Sequence, residues 1–368
     1  GLGDVYKRQS LTRIGVWLVA SAVFIVPLAL VVSLALGGNQ FPVLLDQGLG
    51  RATWNSVYTT VLSSVGAVII GGSIAILLER TEVGGAAWLR LFLLSPLLIP
   101  PFVGAISWLQ LFGRNQGLNA VFGRPLWDLY GADGIIFLMT LHSYPVVYVV
   151  ISAALRQIPS DLELAARISG AGSGTVLRTV TIPLLGPAFL SAFTLTAVSN
   201  LADFGIPSIL GSPVRFETLA TMCYRFMESG TVSNPLQVVS TVGAVLMVLG
   251  MAAVVADYAV ARRSSSATSG SSTAKLSLGA AKTPVTVVAW GTALAITLGP
   301  LVGLTVRALL PAPGVPFNLQ TISMDNFQQT LSNPRVIDGF VNSSVLAGGA
   351  ALLCLSLIHI SEPTRPRL

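Results

Sequence analysis

Long apolar runs separated by short polar stretches dominate the chain. A helix needs roughly 20 residues to cross a hydrocarbon core, and runs of that order fall at 14–36, 54–78, 91–112, 134–155, 187–211, 235–260 and 284–310, with an eighth starting near 340. Lipid offers no partner to backbone N–H and C=O groups. Continuous runs of this length therefore predict helices, not the shorter alternating strands of a barrel. The pattern predicts an all-α, multi-pass membrane protein built as a helical bundle. Composition agrees: 53% of the 368 residues are hydrophobic and 10% are charged, and the mean hydropathy is +0.76, beyond the range of soluble domains.

Charge sets the expected orientation, because short loops rich in Lys and Arg stay on the cytoplasmic side. A cytoplasmic N-terminus places twelve Lys and Arg in inner loops against seven in outer ones, or ten against seven without the first nine residues. The net charge of +6 follows this bias, and no dense basic patch marks a nucleic-acid partner. Cys223 and Cys354 are too few and too far apart for a disulfide framework or a metal site, and read as buried spectators. The first apolar run is too long for a signal-peptide core and lacks a small-residue cleavage pattern, so it is expected to remain as a membrane helix.

Both ends differ in composition from their surroundings. "GLGDVYKRQ" (1–9) and "SLIHISEPTRPRL" (356–368) resemble translated adapter sequence and are expected not to belong to the natural chain. Between them, 10–53 holds the first membrane helix and an outer loop, and 54–260 a core domain. The Ser/Gly/Ala-rich stretch 261–283 reads as a flexible cytoplasmic linker. Beyond it, 284–355 restarts the pattern of long helix, proline-bearing loop (Pro311, Pro313, Pro316) and small-residue helix. Asn55-Ser56 and Asn342-Ser343 hold equivalent places, as helix caps or as marks of a duplicated six-helix unit whose second copy is cut short.

The most informative polar stretch is "DLELAARISGAGSGTVLRTVTIP", residues 161–183, inside the loop 157–186. Pro159 stops the preceding helix, and Ser160 with Glu163 three residues on matches a capping box. A short helix should start near 161 and end at Gly170, Gly172 and Gly174; a second, over 174–181, should stop at Pro183. Ala165, Ala166 and Gly170 would form a close-approach surface, with Arg167 and Arg178 at its rim.

These residues resemble the signature loop of permease subunits of ABC importers, which reads Glu-Ala-Ala, three residues, Gly, nine residues, Ile, one residue, Leu-Pro. Here Ala165-Ala166 precede Gly170 by that interval, and Val180, Thr181, Ile182 and Pro183 close it. Leu164 stands where the motif has Glu, with Glu163 beside it. The resemblance implies a type I importer permease bundle in the bacterial cytoplasmic membrane. Glu163, Leu164, Ala165, Ala166, Gly170, Val180, Ile182 and Pro183 would then dock on cytoplasmic ABC ATPase subunits, a dimer that carries ATP and Mg, and a periplasmic or lipid-anchored protein would deliver substrate. The chain's own residues agree: a phosphate-binding loop needs Gly-Lys, and the three lysines, Lys7, Lys275 and Lys282, follow Tyr6, Ala274 and Ala281. No cofactor, metal or catalytic residue is expected in this chain.

Thr196, Asn200, Asp203 and Pro207 are spaced to share one helical face in the fifth run. A carboxylate inside a membrane segment costs about 2.5–3.5 kcal/mol on insertion scales, so Asp203 is expected to line a wet pathway or anchor a helix. The stretches 93–109, 141–159 and 201–211 resemble the ferric-iron branch of these permeases, which implies iron uptake first, with phosphonate, polyamine or thiamine as alternatives. His142, beside Tyr144 and Pro145, reads as a hydrogen-bonded residue of a kinked helix. Two other classes compete. An ion-coupled secondary transporter would use Asp203 as its coupling group, and a membrane-embedded enzyme would need an HExxH or Gly-x-Ser-x-Gly site that the sequence lacks.

Overall fold

The computed structural model describes residues 2–38, 40–114, 117–230, 232, 234–262, 275, 277–312, 315 and 320–361. Most of the 261–283 linker, the end beyond 361, Pro313 and Pro316 lie outside the described residues. The helices are α1 (Leu2–Gly37), α2 (Phe41–Asp46), α3 (Leu49–Arg80), α4 (Ala86–Leu94), α5 (Pro101–Phe112), α6 (Gly117–Val121), α7 (Ala132–Gln157), α8 (Ser160–Ile168), α9 (Ser173–Val176), α10 (Ile182–Leu184), α11 (Gly186–Leu201), α12 (Gly205–Gly211), α13 (Leu219–Glu228), α14 (Pro235–Ala261), α15 (Lys282–Ala308), α16 (Asp325–Leu331) and α17 (Pro334–Ser361). No β-strand occurs among the described residues. Among the described residues, six helices are long and apolar enough to cross a membrane, or up to eight if each of two bent pairs counts as one span.

The chain divides into two compact units, 1–300 and 301–368. In the first, α3 and α7 form the most extensive helix pair, with α11 packed on both. The buried residues of α3 explain this closeness: Ser63, Ala67, Gly71 and Ala75 recur every fourth position, a stripe of small side chains that lets backbones approach. A Cβ added to Gly71 would lie 2.5 Å from the Tyr144 carbonyl oxygen. α1 lies along α14, and most of the apolar side chains described between Trp17 and Leu36 are exposed, as in a lipid-facing helix.

The predicted run 91–112 is not one helix. α4 gives way to a single 3-10 turn at Ser95–Leu98, and α5 starts anew at Pro101, with 104° between the two arms. Pro100 and Pro101 lack N–H donors, and Ile99 before them is extended. The carbonyls freed by the break find side chains. Phe92 O accepts from Ser95 Oγ (2.7 Å) and Thr297 Oγ1 (2.9 Å), and Leu93 O accepts from Tyr144 Oη (2.8 Å). This is how an interrupted membrane helix is tolerated.

The fifth run, 187–211, also breaks: α11 ends at Leu201, and α12 starts at Gly205. Asn55-Ser56 does not cap its own helix. Both residues lie inside α3, where Asn55 Nδ2 donates to Glu217 O (2.8 Å) and Ser56 Oγ accepts from Leu219 N–H (2.8 Å), pinning the start of α13. Cys223 is half-buried and Cys354 exposed, so they are not the buried pair expected; both are free thiols.

In the second unit, Asn326 Nδ2 donates to Ala308 O and Leu310 O, fixing α16 against the end of α15. Asn342-Ser343 lies inside α17, exposed, and caps nothing there either.

Candidate functional site

The loop 157–186 folds from its own sequence. Ile158 and Pro159 are extended and separate α8 from α7. At its other end α8 closes in a Schellman turn: Ala171 N–H donates to Ala166 O (3.0 Å) and Gly170 N–H to Arg167 O (2.9 Å). Gly170 has φ +88°, a left-handed conformation that suits glycine. The second arm is longer than the spacing suggested. α9 runs into a π-helical turn, Leu177–Thr181, and then α10, and the bend of 59° falls at Leu185 rather than at Pro183. Pro183 sits in the first turn of α10, where its missing N–H costs nothing.

The capping box does not form. No side chain caps α8, and Glu163 turns inward instead, the only buried residue of that helix. Its Oε1 accepts from Thr181 Oγ1 (2.9 Å) and lies 3.2 Å from Arg80 Nη2, in an ion pair whose side chains are 2% and 5% exposed. The same Arg80 nitrogen donates to Leu155 O (3.1 Å) in the last turn of α7. Sequence reasoning passed over Arg80 and its neighbour Glu79. Glu79 Oε1 accepts from Arg90 of α4 (2.9 Å), Arg156 of α7 (3.0 Å) and Tyr148 Oη (3.2 Å). A Glu-Arg pair closing an apolar run was the available signal.

With Glu163 inside, the outer face of the loop is apolar. Leu162, Leu164, Ile182 and Leu184 are exposed, and Ile168 is 87% exposed. Ala165, Gly170 and Pro183 are exposed as well, while Ala166 and Val180 are half-buried. Arg178 is exposed and Arg167 half-buried. A helix–turn–helix showing this face can insert into an apolar groove of a partner.

Of the other predicted residues, Thr196 and Asn200 share the buried face of α11, whereas Asp203 and Pro207 lie beyond its end at Leu201. Thr196 is buried, its hydroxyl spent on Ala192 O (2.9 Å) and Phe193 O (3.0 Å). Asn200 is buried and joins three helices: Nδ2 donates to Ser63 Oγ (2.9 Å), and Oδ1 accepts from Ser143 Oγ (2.7 Å). Asp203 is half-buried in the break, where Oδ1 accepts from Gly205 N–H (2.8 Å) at the start of α12. His142 makes no hydrogen bond among the described residues, against the sequence expectation, and lines a cavity of about 40 Å³ with Ser95, Ser107 and Ile206. The described residues hold no group of three or more His, Cys, Asp or Glu fit for a metal.

The bundle combines two broken apolar spans with a folded loop between α7 and α11. The chain belongs to the family of binding-protein-dependent transport system inner membrane components, whose profile matches residues 71–266. It is 26% identical over 221 residues to the ferric transport system permease protein of Actinobacillus pleuropneumoniae, covering 58% of this chain and 32% of that one. It is 33% identical over 155 residues to the molybdenum transport system permease protein of Mycobacterium tuberculosis, covering 41% and 57%. The chain thus spans about a third of the length of that ferric relative. The fold alone is shared with a chain in the crystal structure of a bacterial alginate ABC transporter in complex with an alginate pentasaccharide-bound periplasmic protein. That likeness has a TM-score of 0.58 and 15% identity, over 71% of this chain and 96% of the other.

Proposed function

We propose that the chain is the membrane-spanning part of an ATP-driven importer and forms the substrate path while a separate subunit hydrolyses ATP. The observation that carries this reading is the exposed apolar face of Leu164, Ile168 and Ile182 around the Gly170 turn, on a loop whose one acidic anchor points inward. The face fits a groove on a cytoplasmic ABC ATPase dimer, which holds ATP and Mg. The N-terminus is then cytoplasmic, and a periplasmic or lipid-anchored binding protein presents substrate on the opposite side. The linker 261–283 separates the core domain from the start of a second, duplicated unit.

Ferric iron is the proposed cargo. The ferric permease relatives support it, and the half-buried Asp203 suits a cation better than an anion. The molybdenum relative favours a second reading, an oxyanion cargo. The test is purification from the native membrane followed by reconstitution in vesicles with radiolabelled ferric iron or molybdate. Co-purification of an ABC ATPase and ATP-dependent iron uptake are expected, and Gly170→Trp should abolish both while leaving membrane insertion intact. Purification without an ATPase overturns the importer reading; uptake of molybdate alone overturns the cargo.

A further inference from the structure

The two arms of the loop connect to the bundle differently. The second runs through the π-turn and α10 into α11 with only a bend between them. The first, α8, leaves α7 through the extended Ile158-Pro159 joint, and beyond its Schellman turn it meets the extended Gly172. Neither joint has the rigidity of a continuous helix, because each leaves soft φ/ψ rotations between the segments. Besides packing on α9 and the π-turn, α8 is held to the bundle by the ion pair and hydrogen bond of the Glu163 side chain.

That carboxylate gathers the surrounding elements. Thr181, the buried residue of the π-turn, donates to Glu163 Oε1, and Arg80, the last residue of α3, pairs with the same oxygen while it donates to Leu155 O of α7. Val176 and Leu177, with Ser173 and Thr181, line a cavity of about 10 Å³ beside the pair. A buried ion pair contributes little net stability compared with apolar residues of the same volume, whereas separating its partners leaves two buried charges unpaired, so the pair resists being pulled apart. Next to it, Glu79 ties Arg156 of α7 and Arg90 of α4.

We infer that the Arg80–Glu163 ion pair, completed by Thr181, is the tether that carries displacement of the 157–186 loop into α3 and α7. This rests on the importer reading above. Arg80 and Thr181 are positioning residues: they touch neither substrate nor the docking face, and they act through Glu163.

The experiment compares complexes of the full chain with its co-purifying ATPase in vesicles and measures iron taken up per ATP hydrolysed. Arg80→Gln should lower that ratio about tenfold, and Thr181→Val, which removes one hydrogen bond at nearly constant volume, about threefold. ATP hydrolysis and complex yield should stay within about twofold of the unaltered protein, a split that general destabilisation does not produce. Arg80→Lys keeps the charge and should recover most of the ratio. If Arg80→Gln does not assemble, Thr181→Val and Arg80→Lys decide. A ratio unchanged in assembled Thr181→Val complexes, or a yield and ratio that fall together in all three variants, overturns the tether. Absence of ATP-dependent uptake of both iron and molybdate by the unaltered complex instead overturns the importer reading itself.

Discussion

Asn200 Oδ1 accepts a 2.7 Å hydrogen bond from Ser143 Oγ while its Nδ2 donates to Ser63 Oγ, so one amide joins α11 to both α7 and α3 deep in the bundle. Hydrogen bonds between membrane helices contribute about 0.6 kcal/mol on average and up to about 1.7. Asn200→Leu removes at least two and leaves Ser143 to find a new acceptor. The expected cost is about 1–2 kcal/mol, seen as a drop of several degrees in the unfolding midpoint in detergent. An unchanged midpoint would show that Asn200 does not hold the bundle, and would return it to the list of pathway residues.

Gly71 makes a second stability test. Its position in α3 faces the backbone of α7, where an added Cβ would meet Tyr144 O at 2.5 Å and Val147 Cβ at 2.7 Å. Backbone cannot yield as a flexible side chain does, so Gly71→Ala should force the two helices apart and cost about 1–3 kcal/mol. Gly104, with nothing within 4 Å, serves as the control, and Gly104→Ala should leave the midpoint unchanged or slightly raised. Equal effects at the two glycines would reject close approach as the reason for the small-residue stripe.

Gly170 separates conformation from bulk. Nothing lies within 4 Å of an added Cβ, yet its φ of +88° strains any L-residue, by about 1–2 kcal/mol. Gly170→Ala should therefore loosen the end of α8 without a clash, while Gly170→Asn, which tolerates the left-handed region, should keep it. Hydrogen exchange at the Ala171 amide, which closes the turn on Ala166 O, reports this directly. Equal protection in both variants would mean that contacts, not the glycine, hold the turn.

These tests also show where the sequence was legible. Lipid imposes helix length and continuity, so the spans could be placed from hydropathy, and the left-handed turn could be placed at a glycine because few residues adopt it. The breaks could not. Prolines at 96, 100 and 101 signal a disturbance, but a full 104° break depends on Tyr144, Ser95 and Thr297 satisfying the freed carbonyls, and two of these come from distant helices. Glu163 was ambiguous for the same reason. Its spacing from Ser160 is that of a capping box, and only the fold brings Arg80 and Thr181 close enough to draw it inward. Asn55-Ser56 had the look of a cap because the strand of backbone it binds, at Glu217 and Leu219, lies far along the chain.

Asp203 holds two roles that a single substitution can separate. Its Oδ1 accepts from Gly205 N–H at the start of α12, a bond that needs an oxygen but no charge, while attraction for a cation needs the charge. Asp203→Asn keeps the acceptor and removes the charge; Asp203→Ala removes both. If the carboxylate faces the substrate path, both variants should assemble with normal yield, and ferric iron uptake should fall several-fold in each. If Asp203 serves α12 alone, Asp203→Asn should transport as the unaltered protein does, and Asp203→Ala should lose about 0.5–1.5 kcal/mol of stability, the usual net worth of one hydrogen bond. Uptake measured side by side with unfolding in detergent distinguishes the two, and the expected result is reduced uptake by Asp203→Asn at unchanged stability.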